Sequence, residues 1–194
     1  MNLNNKKYNI ILLDPPWRYN ARNNSSTKFG GGTTNKYPTM KLEEIKALNI
    51  PSICADNCAL LMWCTTSAGD STLAEKLQLF DHWGFKLVNI GFTWIKTNKN
   101  NGKPFFNVGH YTHIGAEHCF LGIKGKMEVK DKSVSGLIIS PREEHSKKPD
   151  IVRDEIVRLF GDLPRIELFS RQKVNGWDCL GNEIDGRDIR EVLK

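Results

Sequence analysis

The sequence has no run of eighteen continuous apolar residues, and its first residues, Met1 to Lys7, hold no apolar core. A helical membrane span and a secretory leader are therefore not expected, and the chain reads as intracellular, cytoplasmic if its source is a prokaryote or a phage. Paired C-x-x-C spacing is also missing. The five cysteines, Cys54, Cys58, Cys64, Cys119 and Cys179, are odd in number, and Cys54 and Cys58 taken with His110, His113 or His118 match no standard zinc-finger spacing. Reduced, buried thiols and no metal are the expectation. There is no internal repeat, heptad run or low-complexity tail, which argues against solenoids and coiled coils. Phe169-Ser170-Arg171 carries no glycine-rich turn, so a standard dinucleotide fingerprint is excluded.

What remains is a chain of 194 residues, 39% apolar and 26% charged, with the size and balance of one α/β domain over 1–194. A net charge of +6 and a pI of about 9.1 suit a partner that carries phosphates. Two polar, Asn-rich segments, 18–36 with its Gly30-Gly31-Gly32 and 97–115, are longer than plain connections and are expected to be mobile loops.

Tyr8 to Leu13 is a continuous apolar run of the kind found in central parallel strands. Cys58 to Cys64 is a second buried-strand candidate and Phe85 to Lys96 reads as a third strand, with Leu73, Leu77 and Phe80 as the stripe of an intervening helix that ends near Gly84. This strand, helix, strand order predicts a right-handed parallel unit. Thr39 is expected to cap a short helix carrying Leu42, Ile45 and Leu48, stopped by Pro51. Further strands are expected at Glu117 to Ile123, Gly136 to Ser140 and Arg165 to Phe169. Pro149 is expected to begin a helix with Val152, Ile156, Leu159 and Phe160 on one face, closed by Gly161.

The most informative residues are Asp14-Pro15-Pro16-Trp17, directly after Ile10-Ile11-Leu12-Leu13. Asp-Pro alone is a common strand-ending turn; the full tetrapeptide behind a buried strand is far rarer. It delivers a carboxylate to the carboxyl edge of a sheet, where open α/β folds bind ligands. The prolines fix φ near about −65° and donate no hydrogen bond, which would leave their carbonyls free to face a ligand. An exocyclic amine on an aromatic base is a poor nucleophile because its lone pair is delocalised into the ring. Asp14 and the Pro15 carbonyl, side by side, can accept both of its N–H protons and turn the lone pair toward a methyl donor. Trp17 adds a flat surface for packing or stacking.

Seven further segments extend this reading: Tyr37-Pro38-Thr39-Met40, Leu48-Asn49-Ile50-Pro51, Trp94-Ile95-Lys96-Thr97-Asn98, Glu117-His118-Cys119, Lys148-Pro149-Asp150, Ile166-Glu167-Leu168-Phe169-Ser170-Arg171, and Gly176-Trp177 through Gly181-Asn182-Glu183. Together and in this order, from Ile10 to Gly186, the chain resembles the adenine-N(6) nucleic-acid methyltransferases, the family that includes the mRNA adenosine methyltransferase. The resemblance implies a Rossmann-like fold dependent on S-adenosylmethionine, with the catalytic motif ahead of the cofactor segment. It implies that Asp14 serves the amine, that Lys148 holds the methionine carboxylate of the donor, and that Arg171 and Asn182 bind the ribose hydroxyls with Glu183 nearby. Tyr37 would close over the site or stack on the base, and Glu117 and His118 would lie on a second mobile segment beside the substrate.

The chain also departs from the family. Larger members carry an acidic contact to the donor adenine well upstream of the motif, whereas thirteen residues precede Asp14 here. Where those members place a His-Asn pair after the strand end, this chain has Gln172-Lys173-Val174-Asn175, and Asn175 is the candidate replacement. No zinc finger, RNA-binding module or Arg-Gly tail is present, so DNA is favoured over RNA, with the adenine flipped out or single-stranded. The two basic loops, with Arg142, Lys147 and Lys173, are the candidates for phosphate contacts. A second copy or a related subunit is expected to supply further surface. Two other readings stay open: a non-catalytic nucleic-acid-binding partner of an active enzyme, against which the intact Asp14 stands, and amino methylation of cytosine or a small molecule.

Overall fold

The computed structural model describes residues 6–18, 38–66, 70–108, 111–143 and 147–194. The apolar run Tyr8–Leu13 forms β1, whose neighbours on both sides and coverage on both faces explain why nearly every residue in it is apolar. The other strands are β2 (Cys54–Cys64), β3 (Lys86–Thr97), β4 (Ala116–Lys124), β5 (Leu137–Pro141), β6 (Arg165–Leu168) and β7 (Asp178–Leu180). They join one sheet in the order β5-β3-β4-β2-β1-β6-β7. Only β4 opposes the rest, pairing antiparallel with both β2 and β3. This is a Rossmann-like α/β architecture, as expected.

Among the described residues five α-helices dress the sheet: α1 (Leu42–Lys46), α2 (Leu73–His82), α3 (Ile151–Phe160), α4 (Asn182–Asp185) and α5 (Ile189–Val192). On one face Ile45, Leu79, Phe80 and Ile189 from α1, α2 and α5 pack over Ile11, Leu13, Leu60 and Met62. On the other, Val152, Ile156 and Phe160 of α3 pack over Ile10, Leu12, Leu61, Trp63 and Trp94. Gly122 on β4 makes the first of these contacts close, because a Cβ there would lie 2.3 Å from the Phe80 ring. All five cysteines are free and buried in these layers. Among the described residues no helix is long and apolar enough to cross a membrane.

Four local expectations are corrected. The parallel unit expected from β2, α2 and β3 is split, because β4 returns antiparallel between the two strands. Thr39 does not cap α1: the Met40 N–H donates to the Pro16 carbonyl (2.8 Å), which keeps the chain extended until Lys41, and Lys41 takes the N-cap position. The buried residues of α2 are Lys76, Leu79 and Phe80, while Leu73 and Leu77 are only partly buried, so the helix is rotated to bring a lysine inward. Thr72 and Glu75 set its start through a reciprocal capping box, with the Thr72 N–H donating to Glu75 Oε2 at 2.6 Å. Helix α3 starts at Ile151, two residues after Pro149.

Candidate active site

The carboxyl end of β1 lies between β2 and β6, and there the chain turns at Asp14 into a cleft of about 480 Å³. The turn is tied down by its own backbone. The Trp17 N–H donates to the Pro15 carbonyl (2.8 Å), and the Pro16 carbonyl receives Met40 N–H. Both proline carbonyls are thus engaged, contrary to the expectation that they would be free. Each keeps a second lone pair. Trp17 is 4% exposed, and its Nε1–H donates to the Trp63 carbonyl (3.0 Å). Its indole is therefore a packing element of the cleft wall and offers no open stacking face.

Behind Asp14 runs a chain of alternating charges. Lys148, just ahead of α3, donates to Asp14 Oδ2 at 2.6 Å and pairs with Glu117 Oε2 at 3.2 Å. Glu117 on β4 is paired in turn with Lys96 on β3, whose ammonium lies 5.0 Å from the Trp94 ring centroid. Burial pushes the Asp14 carboxyl above its usual range; Lys148 pulls it back in part, and the carboxylates of Glu117 and Glu167 add to the rise. Burial also pushes Glu117 up, but Lys148 and Lys96 together outweigh it and hold that carboxyl low. Lys148 is disfavoured as a cation by burial, yet Asp14 and Glu117 raise it above an ordinary lysine. The ammonium is charged, and two of its three N–H groups are used.

Beside it lies a smaller lobe of about 140 Å³ that shares Asp14, Lys148, Phe169, Arg171 and Glu183 with the larger one. Its side wall is the bidentate pair of Arg153 with Glu167, both bonds 2.8 Å. The opposite wall starts where β6 ends. Phe169 has φ of 61°, the one positive value outside glycine among the described residues. An aromatic residue in that region costs about 1–2 kcal/mol. The bend lets Ser170 N–H reach the Leu180 carbonyl (3.0 Å) and sends Arg171 back over the cleft, where it pairs with Glu183 at 2.9 Å. Gly181 permits this crossing, since a Cβ would lie 2.1 Å from the Ser170 carbonyl oxygen.

Of the residues singled out in the sequence, Asp14, Pro15, Pro16, Trp17, Glu117, Lys148, Arg171, Asn182 and Glu183 line this cleft together. Asn175 does not: it is exposed in the turn ahead of β7. His118 faces the other side of the sheet, where its Nδ1 bonds Thr93 Oγ1 at 3.0 Å, because successive residues of a strand point to opposite faces. Tyr37 lies outside the described residues. Lys96, Arg153, Glu167 and Phe169 were missed as site residues. Lys96 lies in the half-buried second half of β3, directly after Trp94-Ile95, and that position is the signal that marks it; the backbone of Phe169 has none.

An open α/β sheet with a carboxylate-bearing turn at its carboxyl edge, and cationic and polar groups around one cleft, is the architecture of a Rossmann-like methyltransferase. The MT-A70 family model matches residues 8–183, and the chain belongs to that family, whose members are methyltransferases that use S-adenosylmethionine. It is 35% identical over 199 residues to the type II methyltransferase M.MunI of a Mycoplasma species, covering 95% of this chain and 81% of that protein. It is 30% identical over 188 residues to the human N(6)-adenosine-methyltransferase catalytic subunit METTL3, covering 93% of this chain and 29% of that protein. A putative N(6)-adenosine-methyltransferase of Medicago truncatula is 29% identical over 97% of this chain and 28% of its own length. The chain thus spans less than a third of the human and plant relatives.

Proposed function

We propose that this protein transfers a methyl group from S-adenosylmethionine to the exocyclic N(6) amine of adenine in DNA. The observation that carries the reading is the placement of Asp14: a carboxylate on a rigid turn at the end of β1, in a cleft, hydrogen-bonded by the buried ammonium of Lys148 at 2.6 Å. The adenine N(6) choice draws on relatives named as N(6)-adenosine-methyltransferases. The choice of DNA draws on the likeness to the type II methyltransferase M.MunI, of whose length the match covers 81%.

The residues present suit the donor. S-adenosylmethionine, when bound, supplies an electrophilic methyl group. Lys148 retains one N–H for a carboxylate, and Arg171, Asn182 and Glu183 on the facing wall offer the polar groups that ribose hydroxyls require. The wall built from Asp14, Pro15, Trp17, Thr65 and Glu117 takes the base. Asp14 accepts one N–H of the amine and the second lone pair of the Pro15 carbonyl accepts the other, which directs the nitrogen lone pair into the cleft. No proton has to leave before the C–N bond would form and the donor's S–C bond break, with its electron pair left on a neutral thioether, because the methylated ammonium is acidic and gives its proton to Asp14 or to water afterwards. A base inside a duplex cannot reach this cleft, so the adenine is flipped out or single-stranded. Arg142 and Lys173 are exposed and would meet phosphates, whereas Lys147 is paired with Glu143 and Asp150 (3.0 Å to the latter) and lines the smaller lobe; a second copy or related subunit would extend the surface.

The test is methyl transfer from labelled S-adenosylmethionine to matched single-stranded DNA, duplex DNA and RNA, with the products digested and identified by mass spectrometry. N(6)-methyladenine in DNA is the expected product. The same base in RNA alone would move the reading to RNA, and no product together with no donor binding would leave a scaffold subunit.

A further inference from the structure

Helix α2 turns a lysine into the core. Lys76 is 1% exposed, in a position where the packing of α2 calls for an apolar residue, alongside Leu79 and Phe80. Its ammonium donates to the carbonyl (3.1 Å) and to Oγ1 (3.2 Å) of Thr65, and it lies 5.3 Å from the centroid of the Trp17 ring. Two of its N–H groups are engaged by Thr65, and the Trp17 ring adds a cation–π contact. Among the described residues no carboxylate lies within ion-pair distance; the nearest acid in sequence, Glu75, is turned outward to cap the helix. Thr65 follows β2 and Trp17 closes the turn after β1, and both line the larger lobe of the cleft.

A buried ammonium without a counter-ion is costly, and a well-packed apolar side chain of similar length would be neutral or stabilising in its place. The burial itself pushes this lysine down from its ordinary value. Its hydrogen bonds and its cation–π contact are all to residues of the wall proposed above for the base, and none is to the residues proposed for the donor.

We propose that Lys76 is a positioning residue for the acceptor wall: it clamps Thr65 and the Trp17 indole at the carboxyl edge of the sheet, at the expense of stability. The assignment rests on the methyltransferase reading for its catalytic consequence, but not for its structural one. Without the clamp the Trp17 ring and the turn that carries Asp14 have an extra degree of freedom, and a displacement of about 1 Å near the reacting atoms is enough to cost on the order of a hundredfold in rate.

The experiment compares wild type with Lys76→Met in the full chain. Expected are a fall in kcat of about tenfold or more, a donor Kd within about twofold of wild type, and a melting temperature that is unchanged or higher. The Trp17 indole N–H resonance, assigned with Trp17→Phe, should shift. Thr65→Val removes one acceptor of the same clamp, so the double variant should be no slower than Lys76→Met alone. An unchanged kcat, additive losses, or a Lys76→Met protein that melts earlier or fails to fold would each overturn the proposal. If wild type methylates no adenine polymer, the functional reading fails instead, and the indole resonance and melting temperature still decide the role of Lys76.

Discussion

The ion pairs in the cleft and those on the helix surfaces use the same residue types, and their surroundings make them different objects. In the cleft Lys96, Glu117 and Lys148 are 13%, 20% and 15% exposed, and Arg153 and Glu167 are 12% each. On the surface Arg158 is 48% exposed beside Glu155 and Asp131, and Arg190 is 52% exposed beside Asp188 and Glu44. Two charges 4 Å apart interact by about 1 kcal/mol in water and several times more near a low-dielectric wall. The interior set therefore holds charges in place before any ligand arrives, while the exterior set is a screened coat. In the proposed mechanism it is the first set that orients the reacting amine.

Breaking the interior set should have the largest effects. Asp14→Ala removes the group proposed to orient the amine; kcat should fall at least about a hundredfold, with the circular dichroism spectrum retained, and near-normal turnover would remove the central claim. Lys148→Ala takes the shared cation from Asp14 and Glu117. Donor affinity should weaken at least tenfold by titration calorimetry, and urea unfolding should show a loss of about 3 kcal/mol; an unchanged donor Kd would break its assigned role.

The same chain of charges makes a sharper, signed prediction. In the proposed mechanism the ionised form of Asp14 accepts the amine N–H, so the rate should fall as pH drops through its raised pKa. Glu117 contributes to that rise, so Glu117→Gln should move the acid limb of the kcat profile to lower pH. Lys96→Met leaves Glu117 with Lys148 as its one remaining cation, which draws Lys148 from Asp14 and should move the limb to higher pH. Shifts of the same sign in both variants would sink the relay.

The exterior set should respond least. Arg158→Ala should change the melting temperature by less than about 2 °C at neutral pH. Its partner Asp131 is held down to about 2 by hydrogen bonds from Ser133 and Arg158, so this contribution is present above its ordinary value of 3.8 and is lost as pH falls to about 2. A larger shift at pH 7 would erase the contrast between the two sets.

Much of this contrast was hidden in the sequence. The acid at the end of β1 was readable, because a continuous apolar run followed by Asp-Pro-Pro-Trp has few other meanings. Glu117 and His118 read alike as neighbours in one matched segment, and only the phase of β4 sends the first into the cleft and the second to Thr93. Lys76 gives no signal in the sequence, because the apolar residues Leu73, Leu77 and Phe80 define a stripe that leaves it out, whereas the face that α2 buries is Lys76, Leu79 and Phe80. Asn175 was chosen by its place after Arg171, but the turn into β7 carries it to the surface.

By itself the sequence determined the local things: which runs are buried on both faces, where prolines stiffen the chain, and that a carboxylate stands at a strand end. Those follow from side-chain hydrophobicity and backbone restrictions that act over a few residues. Tertiary structure alone decided the insertion of β4 between β2 and β3, the meeting of Asp14 with Lys148 across 134 residues of chain, and the inward turn of Lys76. Strand partners, helix phase and ion pairs of that range are chosen by whichever packing buries the most surface while leaving the fewest polar groups unmet, and that choice is made by the whole chain at once.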